Sequence, residues 1–137
     1  GPFHTPLMAE SSRAALASIP PDWFARPQVP LIDGTGRIWR CHASDPTALH
    51  AYTFTEQILE PYDFASAIAV GIKEFAPDRI VLVGPGDTLG GAIGQVLVRE
   101  GWLGMRDKVG FSARQATDPF LIAMGRADQR ALVEAPQ

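Results

Sequence analysis

The fold of this chain is decided by residues 79–94, which read RIVLVGPGDTLGGAIG. Residues 80–83 form an unbroken apolar run, and such a run without alternation is typical of a strand that is covered on both faces. The Gly-Pro-Gly sequence at 84–86 indicates a sharp turn, and apolar residues at helical spacing follow it. This pattern predicts a buried strand, a turn and a helix. We therefore expect an α/β core in which Val81, Leu82 and Val83 are buried on both sides.

The composition indicates one globular domain or a part of one. The chain has 137 residues, of which 46% are hydrophobic and 20% are charged, and this length supports a core of its own. A formal net charge of −3 gives no basic surface for nucleic acid or an anionic membrane, so we expect neither partner. No apolar stretch approaches the roughly 20 residues of a membrane helix, and we expect a cytoplasmic protein. Cys41, the only cysteine, excludes an internal disulfide and a cysteine zinc site.

Proline and capping signals predict the other elements. Thr5-Pro6 and Asp45-Pro46 each pair a capping residue with proline at the first helical position, which predicts helices from about 6 to 18 and from about 46 to 59. Residues 29–32 and 37–39 indicate the strands of a hairpin around a turn-rich link at 33–36. Further helices are expected at about 62–75, from beyond 86 to about 101, and at 118–124. The residues expected to face inward on the first two of these are Phe64, Ile68, Ile72, Phe75, Leu89, Ile93, Val96 and Leu97.

The Gly-Pro-Gly turn between the predicted strand and helix superficially resembles a phosphate-binding loop. Pro85, however, removes one N–H donor, and Asp87 places a negative charge where a phosphate would lie. Neither a GxGxxG pattern nor a Walker pattern is complete. We therefore interpret the turn as structural, with nucleotide binding as the less favoured alternative.

The three histidines, His4, His42 and His50, are the remaining candidates for chemistry. Their spacing matches no compact metal motif, and we interpret His42 and His50 as surface residues. His4 differs because it lies directly before a predicted helix, from where a side chain can point into a cleft. A single histidine does not identify a site, so an exposed or hydrogen-bonded His4 without a catalytic role stays open.

Four segments of the chain carry motifs: residues 3–8, FHTPLM; residues 29–37, VPLIDGTGR; residues 56–64, EQILEPYDF; and residues 83–91, VGPGDTLGG. In the same order, they resemble motifs of the malonyl-CoA:acyl carrier protein transacylases and of the acyltransferase domains of fatty-acid and polyketide synthases. The first two are similar to the FHSPLM-type segment of that family and to its VPVVSNVTGR stretch. The last two resemble its RQLxxPVxW stretch and its VGPGxxLTG turn. The resemblance ends near residue 91, and the tail 102–137 is unmatched.

The resemblance implies a role for two residues. His4 falls on the catalytic base, which takes the proton of a nucleophilic serine and later activates the acyl-accepting thiol. Gln57 falls on the glutamine whose backbone carbonyl orients that histidine, so that the other ring nitrogen is free to act as a base. The implied substrates are an acyl-CoA, with malonyl-CoA the expected one, and the phosphopantetheine thiol of an acyl carrier protein, without a further cofactor. The implied fold is the C-terminal part of an α/β-hydrolase-like large subdomain, with a short parallel sheet flanked by helices.

The resemblance is incomplete in ways that bear on function. The GHSxG nucleophile elbow of the family, its carboxylate-binding arginine and its oxyanion-hole glutamine lie upstream of the histidine, and none of them is in this chain. Ser112 follows Gly-Phe but lacks the second glycine of an elbow, and we do not assign it as a nucleophile. Asp33 and Gly34 replace a Ser-Asn pair, so we assign that loop no role from the resemblance. We expect residues 1–137 to be a single domain or fragment that is inactive without an N-terminal acyltransferase half. Such a piece exposes apolar surface that this half normally covers, so it needs that half, self-association or a fold sufficient to itself.

Three interpretations follow. The first is the histidine-bearing part of an acyl-CoA:acyl carrier protein acyltransferase, which uses a serine-histidine ping-pong mechanism in the intact enzyme. The second is a non-catalytic acyltransferase-like module that docks a carrier protein or a synthase subunit. The third is a structural domain whose motifs persist only for packing. Acyl transfer with an upstream polypeptide that bears GHSxG distinguishes the first from the others, and carrier-protein binding without turnover would favour the second.

Overall fold

The computed structural model describes residues 1–84 and 86–133, and the chain divides into two compact units, Gly1–Ala67 and Ile68–Gln137. The architecture is mixed α/β, with one antiparallel and one parallel pair of strands. The predicted α/β class is thereby confirmed, whereas its hydrolase-like topology stays a prediction. No helix among the described residues is both long and apolar enough to cross a membrane.

The first unit begins with the predicted helix and hairpin. A short 3₁₀ turn, Pro6–Met8, leads into helix α1, Ala9–Ser18, and a second turn, Pro21–Trp23, follows it. Strands β1, Leu31–Ile32, and β2, Ile38–Trp39, pair antiparallel. Both predictions are confirmed, although the strands are shorter than expected.

The predicted helix at 46–59 is two helices, α2, Pro46–Phe54, and α3, Glu56–Leu59. The predicted cap is present, since the Asp45 carboxylate accepts a hydrogen bond from the Thr47 amide at 3.0 Å. The break falls at Thr55, whose ψ of −87° is not helical. Its hydroxyl donates to the Ala51 carbonyl at 2.6 Å, a local bond through which threonine disturbs a helix.

His50 is buried, and its assignment to the surface is therefore wrong. Its Nε2 lies 2.6 Å from the Ile19 carbonyl, which stands just beyond the end of α1, and its ring meets Phe24 and Phe54 edge-on. The free carbonyl at the helix end gives a buried imidazole the partner that it needs. His42 is exposed, as predicted.

Helix α4, Phe64–Phe75, runs from the first unit into the second. In the second unit, strand β3, Ile80–Leu82, pairs parallel to strand β4, Leu121–Ala123. The connection between them contains α5, Gly90–Arg99, and α6, Lys108–Thr117, and α7, Ala127–Arg130, follows β4. A 3₁₀ turn at Trp102–Gly104 lies between α5 and α6.

Strand β3 is not the buried strand that was predicted; β4 is buried instead. Val81 is 41% exposed and Val83 84% exposed, so the prediction that residues 81–83 are buried on both sides is wrong. Among the described residues β3 has β4 as its only neighbour and is an edge strand. All three residues of β4 are buried.

The helix predicted for 118–124 is also wrong, because residues 121–123 are strand β4. The Gln115 side chain of α6 accepts hydrogen bonds from the Phe120 and Leu121 amides and donates to the Leu121 carbonyl. These bonds hold the entry to the strand in an extended form. Helix α6, capped by Asp107, was not predicted.

The predicted inward face is confirmed at the centre of α5 and at Ile72 of α4, whereas Phe64 and Ile68 are half-buried. Ile72, Ile93, Val96 and Leu97 are buried, whereas Phe75 and Leu89 are exposed, against prediction. Both exceptions lie at an end of the predicted apolar face, where the helix ends or has not yet begun.

The turn after β3 uses glycine conformations, with φ of +103° at Gly84 and +78° at Gly86. A Cβ at Gly125 would lie 2.8 Å from the Gly86 carbonyl oxygen, so the two backbones are in direct contact. Pro85, on which part of the argument against nucleotide binding depends, lies outside the described residues, as do residues 134–137 of the unmatched tail.

Candidate active site around His4

His4 is held by three contacts within the first unit. Its backbone N–H donates to the Ile58 carbonyl at 2.8 Å, and its Nδ1 lies 2.7 Å from the Gln57 carbonyl oxygen. Its ring centroid lies 5.5 Å from that of Tyr62. The contact between His4 and the Gln57 backbone, which was expected from the resemblance, is therefore present.

The Gln57 carbonyl is available to His4 because of Pro61. A helical carbonyl accepts from the N–H four residues later, and α3 follows this pattern at Glu56, whose carbonyl accepts from Glu60. The residue four positions after Gln57 is Pro61, which has no N–H. The carbonyls of Gln57 and Ile58 thus lie at a helix end without helical partners, and His4 donates to both.

The His4 backbone has a φ of +64°, in the left-handed region that residues other than glycine seldom adopt. Such conformations cost about 1–3 kcal/mol and persist where surrounding contacts determine them. Here the two hydrogen bonds to α3 do so, together with the bond from the Thr5 hydroxyl to the Pro2 carbonyl at 2.8 Å. No sequence signal predicts this conformation.

The hydrogen bond at Nδ1 decides which nitrogen of His4 can act as a base. A carbonyl oxygen only accepts, so Nδ1 carries the proton and Nε2 keeps its free lone pair. His4 is exposed, and no residue in 1–84 or 86–133 forms a hydrogen bond with Nε2. An imidazole fixed in this way is prepared to accept a proton from a hydroxyl or thiol group.

Asp33 anchors the hairpin loop. Its buried carboxylate accepts hydrogen bonds from the Thr35 amide and hydroxyl, the Arg37 amide and the Trp39 indole, at 2.7 to 3.1 Å. Burial by itself raises the pKa of Asp33, but these hydrogen bonds outweigh it and hold the pKa below its ordinary value. The carboxylate is saturated by its own loop, which indicates a structural role.

Gly34 and Tyr62 are in close contact. A Cβ at Gly34 would lie 2.4 Å from Cδ2 of Tyr62, and the Gly34 amide donates to the Tyr52 hydroxyl at 2.9 Å. Burial, followed by the negative charge of Asp33, raises the pKa of Tyr62. Burial also raises the pKa of Tyr52, opposed by the bond from Gly34 and increased by Asp33. Both phenols are therefore protonated at neutral pH.

A cavity of about 250 Å³ in the first unit reaches the two residues that contact the His4 side chain, Gln57 and Tyr62. Aromatic rings form much of its wall, and Asp33 also lines it. No lysine or arginine is among its described lining residues. The space is thus mainly apolar, as small-molecule sites commonly are.

The structure brings together His4 and Gln57, the two residues that the resemblance singled out. Ser112 is an exposed residue of α6 in the second unit. No group of three His, Cys, Asp or Glu side chains within the described part of the chain could hold a metal ion. Tyr62 and Gly34 belong to the site but have no signal in the sequence. Pro61 was also missed, although its position four residues after Gln57 is a signal.

Comparison with protein-family models, with curated proteins and with solved structures finds no match to this chain. A function for the site must therefore come from its geometry and from the four motif resemblances.

Proposed function

We propose that this chain is the histidine-bearing part of an acyl-CoA:acyl carrier protein acyltransferase. The observation that carries the proposal is the 2.7 Å contact between His4 Nδ1 and the Gln57 carbonyl, which leaves Nε2 as the base. The pair comes from two separate motifs, 53 residues apart in sequence. Their contact supplies the orienting acceptor that a histidine base needs.

In the proposed reaction, a serine from a GHSxG elbow outside this chain attacks the thioester carbonyl of an acyl-CoA. Nε2 of His4 accepts the serine proton and then gives it to the departing CoA thiolate, which leaves an acyl-serine. Nε2 next takes the proton of the carrier-protein thiol, whose sulfur attacks the acyl-serine, and returns that proton to the serine. The Gln57 carbonyl stabilises the intermediate imidazolium through Nδ1–H.

A second candidate is the non-catalytic module that docks a carrier protein. The observation in its favour is that Nε2 of His4 has no hydrogen-bond partner among residues 1–84 and 86–133, so these residues supply no nucleophile to it. It predicts binding of an acyl carrier protein that does not depend on His4 and is not accompanied by transfer.

Mixing the 137-residue chain with an acyltransferase N-terminal half that bears GHSxG tests the first candidate. Transfer of a malonyl group from malonyl-CoA to an acyl carrier protein is followed by mass spectrometry of the intact carrier. We expect His4→Ala to lower the rate about 10²- to 10⁴-fold, the contribution of a general base. Gln57→Ala should have little effect, because the backbone makes the contact.

His42→Ala is the matched control, because His42 is exposed and we assign it no role. A reconstituted enzyme that is indifferent to His4→Ala would end the proposal. The chain alone should form no acyl adduct with malonyl-CoA, and a stoichiometric adduct lost in Ser112→Ala would show that the nucleophile is misassigned.

A further inference from the structure

The Tyr62 ring contacts the His4 ring, in addition to the hydrogen bond that His4 makes to Gln57. The two ring centroids are 5.5 Å apart and the ring planes are inclined by 53°, an arrangement within the favourable range for aromatic pairs. A single hydrogen bond at Nδ1 leaves the imidazole free to tilt about the bond axis. A second ring at this distance limits that tilt and therefore the direction of Nε2.

Gly34 admits the Tyr62 ring because it has no Cβ. A Cβ built there would lie 2.4, 2.8 and 2.9 Å from three carbon atoms of the ring. Gly36 in the same loop has a φ of +82°, whereas Gly34 does not have a positive φ. Position 34 therefore requires glycine because the tyrosine ring needs the space, and not because of its backbone conformation.

One backbone hydrogen bond ties the loop to the residue after Tyr62, and a second bond ties it to the Tyr52 hydroxyl on α2. The Gly34 carbonyl accepts from the Asp63 amide at 2.8 Å, and the Gly34 amide donates to Tyr52. Asp33 holds the rest of the loop through four hydrogen bonds. The contacts thus run without interruption from Asp33 through Gly34 and Tyr62 to His4.

From these contacts we propose that Tyr62 is a positioning residue for His4 and that Gly34 is the space that its ring requires. The catalytic consequence of this pair rests on the proposed function of His4. The geometric consequence does not, and it can be measured on the chain alone.

The test is NMR of the 137-residue chain with labelled histidine, in which the His4 ring signals report its neighbours and its tautomer. Tyr62→Leu removes the ring and should shift the His4 ring protons and reduce its preference for the Nδ1–H tautomer. Tyr62→Phe keeps the ring and should preserve both. Gly34→Ala should displace the ring and change the same signals. Gly91→Ala is the matched control, since a Cβ there would meet nothing within 4 Å, and it should leave His4 unchanged.

If the Gly34→Ala chain does not fold, the double variant Gly34→Ala, Tyr62→Leu provides the test. Removing the ring removes the clash, so the double variant should fold and show the His4 signals of Tyr62→Leu alone. A double variant as unstable as Gly34→Ala would overturn the assignment of Gly34. His4 signals that are unaffected by Tyr62→Leu would overturn the positioning role.

The two proposals can fail separately. If the His4 signals respond and the reconstituted pair transfers no acyl group, the positioning role stands and the acyltransferase does not. In an active pair, Tyr62→Leu should lower kcat by about tenfold to a hundredfold with little change in KM, because misplacement of a base acts on the chemical step. Tyr62→Phe should restore the wild-type rate. Transfer that is indifferent to Tyr62→Leu would contradict the catalytic consequence.

Discussion

The buried side chains inside the first unit differ in kind from those inside the second. All four of the buried polar or charged side chains found among the described residues, Ser12, Asp33, Ser44 and His50, lie in the first unit. Most of the buried apolar residues, including all of β4, lie in the second. Directed polar contacts fix individual atoms in space, whereas apolar packing mainly supplies stability. The difference explains why the candidate site is in the first unit, although the longest apolar strand signal is in the second.

The largest effect on stability is expected in the second unit. Ile122 is completely buried at the centre of β4, so Ile122→Ala should lower the free energy of unfolding by about 2–5 kcal/mol through lost burial and a residual cavity. Val83→Ala is the control, because Val83 is 84% exposed, and it should cost less than about 0.5 kcal/mol. Urea denaturation of both variants measures this, and equal losses would mean that Val83, which follows β3, is covered after all.

The next effect concerns the polar anchor of the first unit. Asp33→Asn replaces a charged acceptor of four hydrogen bonds and should cost about 1–3 kcal/mol at neutral pH. Because the pKa of Asp33 is lowered in the folded chain, the unfolded chain takes up this proton first as pH falls. The stability that Asp33 contributes is therefore complete above its ordinary pKa of 3.8 and is lost as pH falls through the folded value.

The measurement compares urea unfolding of the wild type and of Asp33→Asn as pH is lowered. The difference between the two should stay constant well above 3.8, the ordinary pKa of this group, and narrow below it. The comparison is necessary because the pKa values of Glu100 and Asp118 in the second unit are lowered too, first of all by hydrogen bonds from Lys73 and Arg79. Asp22→Asn, at an exposed aspartate, is the control. A difference that does not depend on pH would contradict the ionised anchor.

Elements with local signals were predicted, and those that depend on distant contacts were not. Asp45-Pro46 is sufficient to begin α2, because the cap and the proline act within one turn. Strand β4 was mistaken for a helix because Asp118-Pro119 is a helix-start signal. Its pairing with β3, which lies far away in sequence, has no local signal. The apolar run of β3 predicted a strand correctly. Its burial depends on the number of neighbouring strands, which one segment does not contain.

The site divides in the same way. The contact between His4 and Gln57 was expected from the resemblance, and Pro61 provides an independent physical reason that is present in the sequence. The positive φ of His4 and the fit of Tyr62 over Gly34 have no periodic or local signature, because each depends on segments that meet only after folding. The turn-rich link at 33–36 permits a positive φ at both of its glycines. Gly36 has one, with φ of +82°, whereas Gly34 does not.

The smallest effect on stability is expected from Pro61→Ala. This variant tests why the Gln57 carbonyl is free to accept a hydrogen bond from His4. Alanine restores an N–H four residues after Gln57 and removes the restriction that proline places on Glu60, which is extended with ψ of 151°. The new N–H can continue α3 and compete with His4 for the Gln57 carbonyl. We expect a change of less than about 1 kcal/mol in the free energy of unfolding, since a single exchanged hydrogen bond is worth about that much.

The His4 nitrogen shifts should nevertheless move toward a mixture of tautomers, whereas Pro77→Ala, at a proline outside this turn, should leave them unchanged. Unaltered His4 shifts in Pro61→Ala would mean that the imidazole retains the carbonyl without help from the proline, and that Tyr62 and the Ile58 carbonyl are sufficient to hold it.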